Sequence, residues 1–191
     1  MNSLNQDGLP ELESLRLLLK IPMEDDIDQV IAFFDRNKDF LKSTSPTPAI
    51  DFNTRSYWES TLSDNRIGFR GGRSVKLFIF YKTKQGLAII GEVNFSQIFR
   101  GVFLACKLGY KIDREYQGKG LMKEALQRSI QFCFEELKLH RIEANYMPNN
   151  DRSAGILHSL GFTIEGKAKN YLKINGKWED HILTSLCNDL V

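Results

Sequence analysis

Three cysteines, five prolines and three histidines are all that 191 residues contain, and no stretch approaches the roughly 20 apolar residues of a membrane-spanning helix. Cys106, Cys133 and Cys187 lie far apart without metal-binding spacing, so no metal site is expected. Their odd number reads as reduced thiols, and the expected compartment is the cytoplasm. Cys106 sits in a strand-like run and reads as core rather than nucleophile. His140, His158 and His181 are scattered, and each reads as structural or exposed. The net charge of +2 comes without any Lys/Arg stripe, which argues against direct nucleic-acid binding. Residues 1–10 are polar and lack the apolar run of a signal peptide, so no membrane partner is expected.

What is present is a mixed composition, 42% hydrophobic and 26% charged, suited to a single domain over residues 1–191 that buries about 70% of its unfolded surface. Residues 1–12 are expected to be loosely ordered. Glu13 to Lys20 reads as a first strand. Pro22 and the acidic Glu24-Asp25-Asp26 start a helix running to about Leu41, with Ile27, Val30, Ile31 and Phe34 as its buried stripe. A second helix is expected over Arg55 to Ile67, and both should cover the substrate end of the sheet.

Three strands, Val75 to Lys82, Leu87 to Phe95 and Val102 to Ile112, read as an antiparallel meander. A long helix from about Gly118 to Lys138 follows, then an alternating strand from His140 to Tyr146 and a short helix around Ser153 closing at Leu160-Gly161-Phe162. Phe162 to Lys169 and Trp178 to Leu186 flank Asn175-Gly176, a strong hairpin signal. The fold class is therefore mixed α/β, one sheet with helices on both faces.

Residues 114–122, Arg-Glu-Tyr-Gln-Gly-Lys-Gly-Leu-Met, join the third meander strand to the long helix. Gly118 and Gly120 let main-chain amides approach a ligand closely, and the helix dipole adds about half a positive charge, so the joint suits a phosphate or pyrophosphate. A P-loop would need Ser or Thr where Gly120 stands, and Lys123 replaces the third glycine of a dinucleotide fingerprint. A tight helix start without any ligand is the alternative.

The order of strand, Gln117-Gly118-Lys119-Gly120, helix, strand, Asn150-x-x-Ser153 helix and Gly161-Phe162 resembles the GCN5-related N-acetyltransferase (GNAT) family. Met122 departs from the Gly/Ala that ends the family's pyrophosphate motif. Segments 37–42, 94–96, 108–110, 144–148 and 175–178 narrow the likeness to the Rim-type branch, which acts on ribosomal proteins, nearest those specific for N-terminal alanine. The resemblance implies a mostly antiparallel sheet that splays where the strand carrying Lys107 to Tyr110 meets its parallel neighbour near Ala144 to Tyr146. It also implies acetyl-CoA as co-substrate, held by Tyr110, Ile112, Gln117, Gly118, Lys119, Gly120, Leu121, Met122, Asn150 and Ser153. Gly109 fits a bulge at the splay.

The Tyr that many relatives place seven residues after Asn150 is Leu157 here, so Ser153 is the expected aid to thiolate departure, unless its hydroxyl merely bonds backbone. Lys107 stands where several relatives carry Glu, and Glu92 is the candidate general base, with an exposed strand carboxylate as its plain alternative. Phe40, Tyr146, Tyr171 and Trp178 could wall the acceptor cleft. Three readings follow: acetylation of a protein N-terminus (Ala or Ser), the same chemistry on a small amine such as an antibiotic or polyamine, or a non-catalytic acyl-CoA-binding module. A monomer or homodimer is expected.

Overall fold

The computed structural model describes residues 3–189. Eight strands form one sheet in the order β1-β2-β3-β4-β5-β6-β8-β7, namely β1 (Glu11–Glu13), β2 (Leu17–Lys20), β3 (Val75–Thr83), β4 (Gly86–Phe99), β5 (Ala105–Ile112), β6 (Arg141–Tyr146), β7 (Thr163–Ile174) and β8 (Lys177–Cys187). Every neighbouring pair is antiparallel except β5 and β6. Among the described residues there are four α-helices, α1 (Ile27–Lys42), α2 (Arg55–Arg70), α3 (Leu121–Glu135) and α4 (Asp151–Ser159). Among the described residues no helix is long and apolar enough to cross a membrane.

The alternation of β-strand side chains sorts the core into two layers. Leu77, Ile79, Val93, Cys106, Leu108, Ile142 and Ala144 face α3 and α4, meeting Leu121, Met122, Ala125, Leu126 and Leu157. Phe78, Phe80 and Ile89 face the other way, onto α1 and α2. There Trp58 stacks on Phe34 with centroids 5.1 Å apart and meets Phe78 edge-on at 6.0 Å. The stripe on α1 is Ile27, Val30, Phe33, Phe34 and Leu41, with Ile31 only half-buried, because the fully buried face rotates toward Phe33.

Two expectations fail at the amino terminus. The stretch from Ser3 to Leu12, expected to be loosely ordered, is packed: Leu9 and Leu12 lie in the core and the Ser3 hydroxyl accepts a hydrogen bond from Arg128 at 2.8 Å. Two apolar anchors outweigh the polar composition around them. Met1 and Asn2 lie outside the described residues. The single strand expected over Glu13 to Lys20 is broken into β1 and β2, because the Ser14 hydroxyl accepts the Leu17 amide at 3.2 Å and makes a turn that leaves Leu15 exposed.

The other elements match within a few residues. Asn175 and Gly176 both have positive φ, 45° and 83°, the geometry of a tight hairpin turn between β7 and β8. Opposite β3, Ile90 is an extra residue in β4: Ile79 pairs with Gly91 and Phe80 with Ile89. Gly109 is no bulge, since it pairs regularly with Asn94.

Candidate active site

Pairing between β5 and β6 stops at Leu108 and Ala144, while β5 continues to Ile112 and β6 to Tyr146. The two strands diverge there, as the family resemblance implies. Residues 109–112 stay paired with β4 on their other edge, so about half of their main-chain groups face an open gap. Tyr110 and Ile112 direct their side chains to the α3/α4 face, and Lys107 and Lys111 to the α1/α2 face.

The loop at the mouth of the gap is anchored from α1. Asp113 accepts from the Glu115 amide at 3.0 Å and pairs with Arg36 Nε at 2.5 Å, while Asn37 Oδ1 accepts from the Arg114 amide at 3.0 Å. Burial pushes the Asp113 carboxyl up, but its bonds to Asn37 and Arg36 outweigh that and hold it below the usual carboxylate range. Gly118 and Gly120 have φ of 71° and 73°, a conformation that costs other L-residues roughly 1–2 kcal/mol. Gly120 is the N-cap of α3 and brings no capping side chain, so the amides of Leu121, Met122 and Lys123 are left for a ligand. Leu121 and Met122 themselves are buried and offer only their main chain. Lys119 is exposed, its ammonium 5.0 Å from the Tyr116 ring centroid.

Two arginines that sequence reasoning missed flank this loop. Arg16 donates to the Lys119 carbonyl at 3.0 Å while pairing with Glu124 at 2.7 Å. Arg152, in the first turn of α4, donates to Gln117 Oε1 at 2.6 Å and ties that helix to the loop. Arg16 lies about a hundred positions from the motif and carries no local signal; Arg152 sits beside Asn150 and was within reach.

Asn150 is the N-cap of α4, its Oδ1 accepting from the Ser153 amide at 3.2 Å. The Ser153 hydroxyl lies beside the phenol of Tyr110, which is buried. Leu157 is core. A groove of about 500 Å³ lined by Ile130, Phe134, Leu160 and Leu186 lies at the end of α3 remote from Gly120.

Across the sheet, on the α1/α2 face, Gly109 forms an open floor where an added Cβ would meet nothing within 4 Å. Glu92 does not stand at its edge as an exposed carboxylate. It is 4% exposed and lies between Lys76 Nζ at 3.3 Å and Lys111 Nζ at 3.1 Å. Burial raises its pKa, yet the two ammonium groups prevail and the net shift is downward. A carboxylate so held is a poor proton acceptor, which argues against the general-base role expected from the sequence.

The four expected acceptor aromatics are not gathered into one wall. Tyr171 borders the Gly109 floor, its hydroxyl accepting from Asn145 Nδ2 at 3.3 Å with Lys107 Nζ at 3.5 Å and the His181 ring beside it. Tyr146 faces α3 and α4 instead, because strand alternation sends it with Ala144 and Ile142. Phe40 packs into the α1/α2 cluster. Trp178 is 56% exposed in a shallow groove with Pro148, Asn149 and Asp180. The Asn175 amide donates to the Ser45 carbonyl at 3.2 Å, tying the β7–β8 turn to the α1–α2 loop.

Burial pushes the Cys106 thiol up to about 12, which removes it as a nucleophile. His181 is buried and donates from Nδ1 to the Glu179 carbonyl, and His140 donates likewise to Asn188.

Comparison with known proteins agrees with this geometry. An acetyltransferase (GNAT) domain model matches residues 16–163. The chain is 39% identical over 171 residues to the ribosomal protein uS5-alanine N-acetyltransferase of Escherichia coli, covering 90% of this chain and 87% of that protein. A crystal structure of a ribosomal-protein-S5-alanine acetyltransferase from Vibrio fischeri superposes with a TM-score of 0.88 at 37% identity, covering 94% of this chain and 97% of that one. RimJ of Mycobacterium smegmatis, in complex with CoA-disulfide, gives 0.84 at 25% identity, covering 96% and 88%. A domain match over most of the chain, on a sheet that splays beside a glycine-capped helix, means that this protein belongs to the GNAT acetyltransferase family.

Proposed function

We propose that this protein transfers the acetyl group of acetyl-CoA to the α-amine of a protein N-terminus beginning with Ala or Ser, that of a ribosomal protein, in the cytoplasm. The observation that carries the coenzyme half is the end of β5–β6 pairing at Leu108 and Ala144 with uncapped α3 amides at the mouth. The pyrophosphate sits on the amides of Gln117 to Met122, and the pantetheine arm replaces the missing strand partner along residues 109–112. Asn150 orients that arm and Ser153 assists departure of the thiolate. The acceptor half is supported by likeness to alanine N-acetyltransferases over nine-tenths of the chain.

The chemistry favours the same acceptor. An attacking amine must be uncharged, and the reference pKa of an α-amine, about 7.7–8.0, lies below that of lysine at about 10.4, a gap worth roughly 3.5 kcal/mol. With Glu92 locked between two lysines, an acceptor that needs no strong base is preferred. Lys107 and Lys111 flank the Gly109 floor, so a polyamine would meet charge of its own sign. The amine approaches over the open floor at Gly109.

The test is to incubate the purified protein and acetyl-CoA with ribosomes from a strain lacking its own enzyme and to record intact ribosomal-protein masses. One acetyl group at one N-terminus is the expected result; modification only at internal lysines would overturn the acceptor. With synthetic peptides, a free N-terminal Ala should react at least tenfold faster than an N-blocked peptide carrying an internal lysine. No turnover with tight coenzyme binding would favour the non-catalytic module instead.

Asn150→Ala should raise the KM for acetyl-CoA severalfold and, by removing the α4 cap, cost about 1 kcal/mol of stability. Ser153→Ala should lower kcat with little change in KM. Kinetics paired with thermal melts separate the two, and wild-type turnover in Ser153→Ala would return its hydroxyl to a structural role.

A further inference from the structure

One charge beside the Gly109 floor is left over. On this face of the sheet Lys76 and Lys111 share Glu92, and Arg141 is held by Glu143 at 2.9 Å and by Glu165. Lys107, half-buried on the same face, is paired with no carboxylate among the described residues. Glu143 stands opposite it in the β5–β6 register, but that carboxylate is turned to Arg141. The Lys107 ammonium meets only the neutral Tyr171 side chain, 3.5 Å from its oxygen and 5.9 Å from its ring centroid. An ammonium carries three donors, so this contact leaves most of them, and the whole charge, uncompensated. A half-buried charge is also screened less by salt than a fully exposed one.

Its place is the rim of the strand gap. Asn145 is the first residue of β6 past the last pair with β5, and its Nδ2 donates to the same Tyr171 hydroxyl at 3.3 Å. Lys107 reaches this group from the β5 side, so Lys107, Tyr171 and Asn145 border the floor together. Lys107 and Gly109 lie two positions apart on one strand, facing the same way at a spacing of about 7 Å. Alternate side chains of an extended peptide have that same spacing. An acceptor whose α-amine lies over Gly109 therefore carries the side chain of its second or third residue to the Lys107 ammonium.

We propose, resting on the acetyl-transfer reading above, that Lys107 determines acceptor specificity by pairing with a carboxylate side chain at the second or third residue, so that acidic N-terminal segments are the preferred substrates. A basic side chain there meets Lys107 with Lys111 behind it, and repulsion rejects it. The same residue thus selects one class of N-terminus and excludes another.

The test uses peptides with a free N-terminal Ala that are identical except for Glu, Gln or Lys at residue 2, and a second set varied at residue 3. At low salt, Glu should exceed Gln about fivefold in kcat/KM at one of these positions, and Gln should exceed Lys by a similar factor, both through KM. In about 0.5 M KCl the ratios should shrink toward unity. Lys107→Met keeps the apolar stem and removes the charge, and should bring the three peptides within about twofold of one another. Lys107→Glu should reverse the order, which a lysine that merely packs on Tyr171 would not do. Circular dichroism establishes that each variant is folded, and the wild-type peptide series with its salt dependence decides even if one is not. Equal rates on Glu, Gln and Lys peptides at both positions, or a preference for Glu that survives in Lys107→Met, overturns the proposal. A wild-type protein that acetylates no N-terminal α-amine, on peptides or on ribosomes, would instead remove the acetyl-transfer reading itself.

Discussion

Gly120→Pro should weaken acetyl-CoA binding at least 100-fold, about 2.7 kcal/mol, while leaving a folded protein. Gly120 has φ of +73° and caps α3, whereas the proline ring holds φ near −65° and lacks the N–H. The loop from Gln117 to Gly120 must then rearrange, and the amides of Leu121 to Lys123 lose their common aim. Helix α3 should survive, because Leu121, Met122, Ala125 and Leu126 anchor it in the core. Gly120→Ala is the graded control. Its methyl would approach only Arg16 Nη2, at 3.6 Å, so its cost is conformational, roughly 1–2 kcal/mol, and binding should fall by an intermediate factor. Calorimetry with circular dichroism decides the matter. Full coenzyme affinity in a folded Gly120→Pro would remove the pyrophosphate from this loop.

Glu92→Gln should cost about 3 kcal/mol at neutral pH, because it strands Lys76 and Lys111 with no carboxylate between them. For a chain of this size that is a fall of roughly 6–12 °C in Tm. The pH dependence has a definite sign. The folded pKa of Glu92 is depressed below its ordinary 4.5, so its contribution is full above that value and is lost as pH falls through the lower folded value. Urea denaturation should therefore show a constant gap between wild type and variant from neutral pH to about 4.5, closing in stronger acid. In the folded variant kcat should stay within a few-fold of wild type. A loss of 100-fold or more without destabilisation would restore Glu92 as the general base.

The amides that would hold the pyrophosphate were legible because they depend on local conformation. Two glycines before an amphipathic helix announce positive φ and an uncapped helix start wherever the chain goes. Asn175-Gly176 announced the hairpin for the same reason. The roles of Arg16 and Asn37 were not legible, since each acts on a loop that only folding brings beside it. The break between β1 and β2 was missed because a single Ser14 hydroxyl overrides an apolar run.

By itself, then, the order of residues determined the element types, the glycine-capped start of α3 and the family, all of which follow from periodicity, backbone freedom and short motifs. The tertiary structure alone decided which side chains meet. Strand alternation, counted from registers that long-range pairing sets, sent Tyr110 and Tyr146 to the α3/α4 face and Tyr171 to the other. It likewise buried Glu92 between two lysines that come from separate strands. Burial and charge pairing are properties of neighbours, and neighbours distant in sequence are fixed only when the sheet closes.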